Sequence, residues 1–204
     1  VTGPAGSGGG APRNHETAAR DRLLELLRQR SFARKRVVLA SGKESDFFID
    51  CKQAVLTAEG HALVGEVMLA ATGTLAPNEP IAAVAGVELG GCPLASAVAL
   101  TSFQRGAPLD ALYVRKDAKE HGSRRLIEGN THLSHGATVV LLEDVVTTGG
   151  STLKAAAKLR DAGYRVLGVV ALVDRLEGGR EAIEGDGGLK LVAVFTRDDF
   201  MGPR

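Results

Sequence analysis

The chain has 204 residues, 44% of them hydrophobic and 24% charged, and its 25 basic side chains are nearly balanced by 24 acidic ones, for a formal net charge of +1. That composition excludes a disordered or collagen-like chain, and the balance excludes a global field drawing the molecule onto nucleic acid or a membrane, so any basic site has to be local. Two cysteines without zinc spacing, and a longest apolar stretch (82–100) broken by Glu88, Gly90, Gly91 and Pro93, leave a cytoplasmic protein with no membrane span as the expectation.

Residues 1–14 lack periodicity and are expected to form a flexible tail, with 15–204 as one domain. Over 16–30, Leu23, Leu24, Leu26 and Leu27 recur at helical spacing among arginines and glutamates, predicting an amphipathic helix. Short strands at 37–39 and 45–49 about a Ser41-Gly42-Lys43 turn read as a hairpin. Thr57 is placed to cap a helix running to about Thr72, with Leu63, Val64, Val67 and Met68 inward, and a Pro77 to Pro80 loop follows. Thereafter strands at 81–85, 111–114, 138–142, 166–173 and 189–195 alternate with helices at 93–103 and 152–161. The strand cores are continuous Val/Leu/Ile/Ala runs, which fits an α/β protein with an open, mostly parallel twisted sheet and helices on both faces.

The sharpest segment is TVVLLEDVVTTGGST, residues 138–152. An apolar strand ends in the acids Glu143 and Asp144, and a loop of Thr147, Thr148, Gly149, Gly150 and Ser151 leads into a helix starting near Thr152. In an open sheet, ligands bind beyond the carboxyl ends of the strands. Small hydroxyl residues and glycines let backbone N–H groups converge on an anion there, and the helix adds the positive end of its dipole. Two carboxylates beside a phosphate suit neutral hydroxyls, such as those of a ribose, or a divalent cation. Phosphate and sugar together describe a phosphoribosyl ligand. There is no Walker lysine and no GxGxxG, which argues against a nucleoside triphosphatase or a dinucleotide domain.

Residues 139–152 resemble the binding signature for 5-phosphoribosyl 1-diphosphate (PRPP) of type I phosphoribosyltransferases. SGKESDFFID (41–50), GVELGGCPLA (86–95), VRKDAKEHGSRRLIEG (114–129) and VDR (173–175) extend the resemblance to the orotate phosphoribosyltransferase family, from about residue 17 to the C-terminus. The resemblance implies the type I phosphoribosyltransferase fold, with an N-terminal hood at about 15–56 and a mobile catalytic loop at about 116–131. It implies magnesium carried mainly by PRPP and water, with no direct protein ligand assigned, and a homodimer whose catalytic loop completes the neighbour's site. Orotate, PRPP and pyrophosphate are the implied ligands, without nucleic acid or membrane, in pyrimidine nucleotide synthesis.

The same resemblance assigns residues. PRPP is expected at Glu143, Asp144, Val145, Val146, Thr147, Thr148, Gly149, Gly150 and Ser151, and at the basic segment Arg115, Lys116, Lys119 and His121. Cations on that segment meet the charge that builds on departing pyrophosphate, so Lys119, His121 and Asp144 are the expected catalytic residues. Orotate is expected at Phe47, Phe48, Thr147 and Arg175. Adjacent strand residues face opposite ways, so at most one phenylalanine stacks on the pyrimidine while the other packs. Arg175 matches the arginine that pairs with the orotate carboxylate, against a surface ion pair with Glu177 as the alternative. Many relatives carry lysine where this chain has Ala40 and Gly90, and Glu143 stands where the signature often has aspartate. Two other functions fit the residues less closely: transfer to another nucleobase, or a PRPP-sensing regulator binding nucleic acid through the run Arg13, Arg20, Arg22, Arg28, Arg30, Arg34, Lys35 and Arg36.

Overall fold

The computed structural model describes residues 12–38, 44–75, 77–117, 126–129 and 131–202. The expected SGK turn and the catalytic candidates Lys119 and His121 lie outside the described residues, as does Ala40.

The first helix, α1 (Pro12–Arg30), begins inside the segment expected as a tail. A proline suits the first helical position, where its missing N–H would have no intrahelical partner anyway. Leu23, Leu26 and Leu27 are buried, and Leu24 packs partly against the same core. The hairpin is present as β1 (Phe32–Val38) and β2 (Glu44–Ile49), antiparallel and separate from the main sheet. The first strand is longer than expected: Phe32 and Ala33 are half-buried and Arg34 and Lys35 exposed, without the one-in-one-out pattern that marks a strand in sequence, and the register shifts between Arg34 and Val37.

A short helix, α2 (Lys52–Val55), precedes α3 (Ala58–Leu75). Thr57 caps α3 as expected, its Oγ1 accepting the Gly60 N–H at 3.0 Å. The remaining elements are β3 (Ala83–Val87), α4 (Gly91–Gln104), β4 (Asp110–Val114), β5 (Ile127–Glu128), β6 (Thr138–Val146), α5 (Gly150–Asp161), β7 (Arg165–Asp174), α6 (Gly179–Glu181), a wider π-turn (Ala182–Asp186), β8 (Lys190–Thr196) and α7 (Arg197–Met201).

Among the described residues the main sheet has the order β5-β4-β3-β6-β7-β8, parallel except for the β4–β5 pair. Alternation along the strands sends side chains to two cores. Val84, Val140, Leu142, Val170, Leu172 and Val194 meet α1, α3 and α4 on one face. Ala83, Ala85, Val139, Leu141, Val169 and Ala171 meet Ala155, Ala156 and Leu159 of α5 on the other. At roughly 25 cal/mol per Å² of apolar surface removed from water, these two-sided strands are the main source of stability. The expected α/β class and helices on both faces are thus present.

The chain steps from β3 outward to β4 in one direction, and from β6 through β7 to β8 in the other. Strand order therefore reverses between β3 and β6, and the crevice above their carboxyl ends is where an open sheet binds ligands.

Candidate active site

Strand β6 overhangs that crevice. Its pairing with β3 stops at Gly86 opposite Leu142, but its pairing with β7 continues to Val146 opposite Asp174. Glu143 and Asp144 are thus strand residues, and the strand does not end at the acids as expected; the ladder to β7 carries it on. Val145 and Val146, expected near PRPP, are the last two residues of this strand. Val146 is buried and its carbonyl accepts the Arg175 N–H at 3.0 Å, so the loop proper begins at Thr147.

Strand alternation starts the two acids toward opposite faces, but beyond the last pairing with β3 their carboxyls come near enough to interact directly. Glu143 points to the α5 side, where it is 5% exposed and accepts hydrogen bonds from Thr152 Oγ1 at 2.9 Å and Ser151 Oγ at 3.4 Å. Burial, reinforced by the neighbouring Asp144 charge, pushes its carboxyl up to about 8. Asp144 points to the α4 and hood side, half-buried, with Oδ1 accepting the Val145 N–H at 2.9 Å. Burial raises this carboxyl too, and Lys52 opposes the rise most strongly.

The elements around Asp144 close in tightly. A Cβ at Gly90 would overlap its carboxylate. Cys51 approaches the Asp144 carbonyl at 3.8 Å, its thiol pushed well up by burial first and by Asp144 second. Lys52 pairs with Asp50 at 2.6 Å, and that hydrogen bond raises its ammonium above the ordinary value. Lys52 is a site cation that the sequence reading missed. Nothing in its local pattern marks it, since only the fold brings α2 against β6.

The loop after β6 turns at Gly149, whose φ of 79° lies in the left-handed region that favours glycine. Among the described residues no side chain caps α5, so the first N–H groups of the helix remain for an anion at the crevice. The helix starts at Gly150, slightly earlier than expected, with Thr148 and Ser151 exposed and Thr147 half-buried.

Across the crevice the chain leaves β4 through Arg115 and Lys116. The Arg115 N–H donates to the Leu126 carbonyl at 2.9 Å, so the intervening basic segment departs from and returns to one point. Strand β5 falls inside the span expected as loop; Val114 pairs with Ile127 and Tyr113 with Glu128. Ile127 is buried, which stabilises so short a strand. Arg115 lies 3.8 Å from Glu128, and Glu88 accepts the Lys116 N–H at 2.8 Å. Arg115, Lys116, Ser151, Lys154 and Lys158 help to line a cavity of about 350 Å³ above the ends of β3 and β4.

The hood settles the two phenylalanines. Phe47 is fully buried, with ring centroids 5.2 Å from Phe32 and 5.7 Å from Phe200, so it presents no face to a ligand. It is the packing member of the pair, as strand alternation leads one to expect. Phe48 is half-buried, with Lys35 Nζ 3.9 Å from its ring centroid. Arg175, 7% exposed at the end of β7, donates to the Phe47 carbonyl at 2.9 Å and pairs with Glu177 at 3.0 Å. The Glu177 pair exists, but it is largely buried and not the surface pair weighed as the alternative.

Among the described residues no three His, Cys, Asp or Glu side chains converge as a metal cage, and no helix is long and apolar enough to cross a membrane. Asp144 remains as a hard oxygen donor, which fits a magnesium ion that keeps most of its ligands from substrate and water. Three arginines of the basic run are engaged within the fold: Arg20 bonds the Val194 carbonyl and Asp199, Arg22 bonds Glu25 and Glu59, and Arg28 bonds the Asp199 carbonyl.

Residues 59–195 match the family model for a phosphoribosyl transferase domain. The chain is 69% identical over 182 residues to the orotate phosphoribosyltransferase of Sorangium cellulosum, covering 89% of this chain and 93% of the relative. The chain belongs to the orotate phosphoribosyltransferase family. A second relative, from Bradyrhizobium sp., is 42% identical over 188 residues, covering 91% of this chain and 99% of its own. Among solved structures, the Mycobacterium tuberculosis orotate phosphoribosyltransferase in complex with Fe(III) dicitrate superposes with a TM-score of 0.73 at 38% identity, over 89% of this chain and 98% of that one. The same enzyme in complex with PRPP superposes at 0.68 and 33% identity, over 90% and 92%. The family's acid-and-glycine signature therefore coincides with the crevice that strand order alone marks as the ligand site.

Proposed function

We propose that this chain condenses orotate with PRPP to give orotidine 5'-phosphate and pyrophosphate, a step of pyrimidine nucleotide synthesis. The observation that carries the reading is one juxtaposition: Glu143 and Asp144 on the overhang of β6, the uncapped start of α5 beside them, and the basic root at Arg115 and Lys116 across the same crevice.

The 5'-phosphate lies at the turn from Thr147 to Ser151, held by backbone N–H groups and the positive end of α5. Asp144, and Glu143 once ionised, accept from the ribose hydroxyls. A ring nitrogen of orotate attacks the anomeric carbon as the bond to pyrophosphate oxygen breaks; that oxygen leaves with the electron pair, and the proton of the attacking nitrogen passes to water or to the departing pyrophosphate. Catalysis is positioning and charge neutralisation, with no protein nucleophile. Magnesium, when bound, neutralises pyrophosphate charge as the complex with PRPP. Arg115, Lys116, Lys119 and His121 meet the leaving group, and Lys52 adds positive charge on the hood side. Arg175 faces the base carboxylate in exchange for Glu177, and Phe48, with Lys35 over its ring, is the aromatic side chain left for the base.

A cytoplasmic homodimer with the basic segment shared between subunits accompanies this reading. Leu89, Leu100 and Phe103, exposed by 64%, 56% and 72%, supply apolar surface for such an interface. The test is pyrophosphate release from PRPP with magnesium, comparing orotate, uracil, adenine and hypoxanthine. Orotate should be turned over fastest, and Lys119→Ala should lower turnover by about 10²-fold, the scale of one transition-state charge contact. Faster use of a base without a carboxylate would transfer the assignment to another nucleobase.

A further inference from the structure

Helix α5 does more than present its N-terminus. Ser151, Lys154 and Lys158 stand three and four residues apart, so one face of the helix turns them all toward the end of β4. Lys158, half-buried, ends this row. Its Nζ donates to the Arg115 carbonyl at 2.8 Å and to the Lys116 carbonyl at 2.5 Å. The Lys116 N–H is taken by Glu88 at 2.8 Å, and the Arg115 N–H by Leu126 at 2.9 Å. Successive peptide groups at the point where the chain leaves β4 are thus fixed from α5, from the loop after β3 and from the returning strand.

We propose that Lys158 is a positioning residue for the reaction: by bridging the carbonyls of Arg115 and Lys116 it sets the direction in which the basic segment leaves the sheet. It touches neither substrate nor reacting atoms in this role. An ammonium suits the task, because it carries three donors on a flexible stem and charge-assisted bonds to carbonyls are the stronger kind. The bridge also joins two parts of the site that the sequence keeps 43 residues apart. The helix that anchors one end of PRPP thereby fixes the root of the segment that meets the other end. The inference rests on the proposed role of that segment toward pyrophosphate.

The experiment compares Lys158→Met, Lys158→Arg, Lys190→Met and Lys119→Ala for kcat, for KM of each substrate and for thermal midpoint. Lys158→Met should lower kcat by about tenfold, since misplacing a catalytic group by about 1 Å costs up to ~10²-fold. KM for orotate should change less than about twofold, and the thermal midpoint should fall by up to about 6 °C, the scale of losing two charge-assisted bonds on a half-buried side chain. Lys158→Arg, which keeps a cation with several donors, should recover most of kcat. Lys190→Met, which removes an exposed charge at the start of β8, at the sheet end away from the crevice, should match wild type. Unchanged kcat in Lys158→Met, equal loss in Lys190→Met, or no recovery in Lys158→Arg would overturn the role of Lys158. If Lys119→Ala is fully active, the reading of the basic segment fails first; if it is impaired while Lys158→Met is not, only the positioning role is lost.

Discussion

Replacing Glu143 by glutamine should change how the stability of the ligand-free protein depends on pH. The carboxyl is 5% exposed beneath α5, and burial with the Asp144 charge moves it from an ordinary 4.5 to about 8. Between those values the folded state keeps the proton while the unfolded chain has lost it. Folded protein therefore binds more protons than unfolded, and stability from this group falls as pH rises; it is fully present below about 4.5 and lost on passing about 8. One such proton gives a slope of at most about 1.4 kcal/mol per pH unit, or up to about 3 kcal/mol between pH 5.5 and 7.5. Glutamine keeps the shape and an acceptor for Thr152 but does not titrate. Urea unfolding of both proteins at half-unit steps from pH 5 to 8.5 isolates the effect as the difference in unfolding free energy. That difference should favour wild type most at the acid end and shrink steadily upward. A flat difference, or one that grows with pH, would refute a protonated, buried Glu143.

Four further outcomes follow from the geometry. Gly90→Ala should lower kcat/KM by about tenfold or more in steady-state assays, because its Cβ overlaps the Asp144 carboxylate and displaces the group proposed to hold the ribose. For the same reason Gly90→Lys should not restore the cation that many relatives carry there; a more active lysine variant would contradict the observed packing. Gly149→Ala puts a side chain at φ 79°, at a cost of about 1–2 kcal/mol, and should raise KM for PRPP more than KM for orotate, with a lowered melting temperature as the check. Arg175→Lys should raise KM for orotate by about tenfold, since a point charge replaces a planar fork, while leaving KM for PRPP within about twofold; equal KM values for orotate in the two proteins would remove Arg175 from base recognition.

The parallel core was legible because its strands are buried on both faces. Runs such as TVVLL and VLGVVALV leave no other placement for that much apolar surface. Thr57 was legible for a similar reason: capping is settled within a few residues, and the bond to Gly60 is local. Short elements were not. Strand β5 has two residues and depends on pairing with β4, and α7 follows β8 without an apolar repeat of its own. Its Phe200 finds a place only because Phe32, Phe47 and Phe195 surround it. The hood hairpin was foreseen, but its longer first strand gains order from the packing of Phe32 and not from a local signal.

By itself the sequence determined the sheet's class, the acid-and-glycine signature and the family, because each is written in contiguous residues whose chemistry is short-ranged. Tertiary structure decided which phenylalanine packs, that Glu143 is held beneath α5 while Asp144 meets the hood, and that Lys52, Glu88 and Lys158 come to the rim of one crevice. Those outcomes depend on strand overhang and on helices meeting across the crevice. Distances between residues far apart in the chain exist only once the sheet has closed its order around β3 and β6.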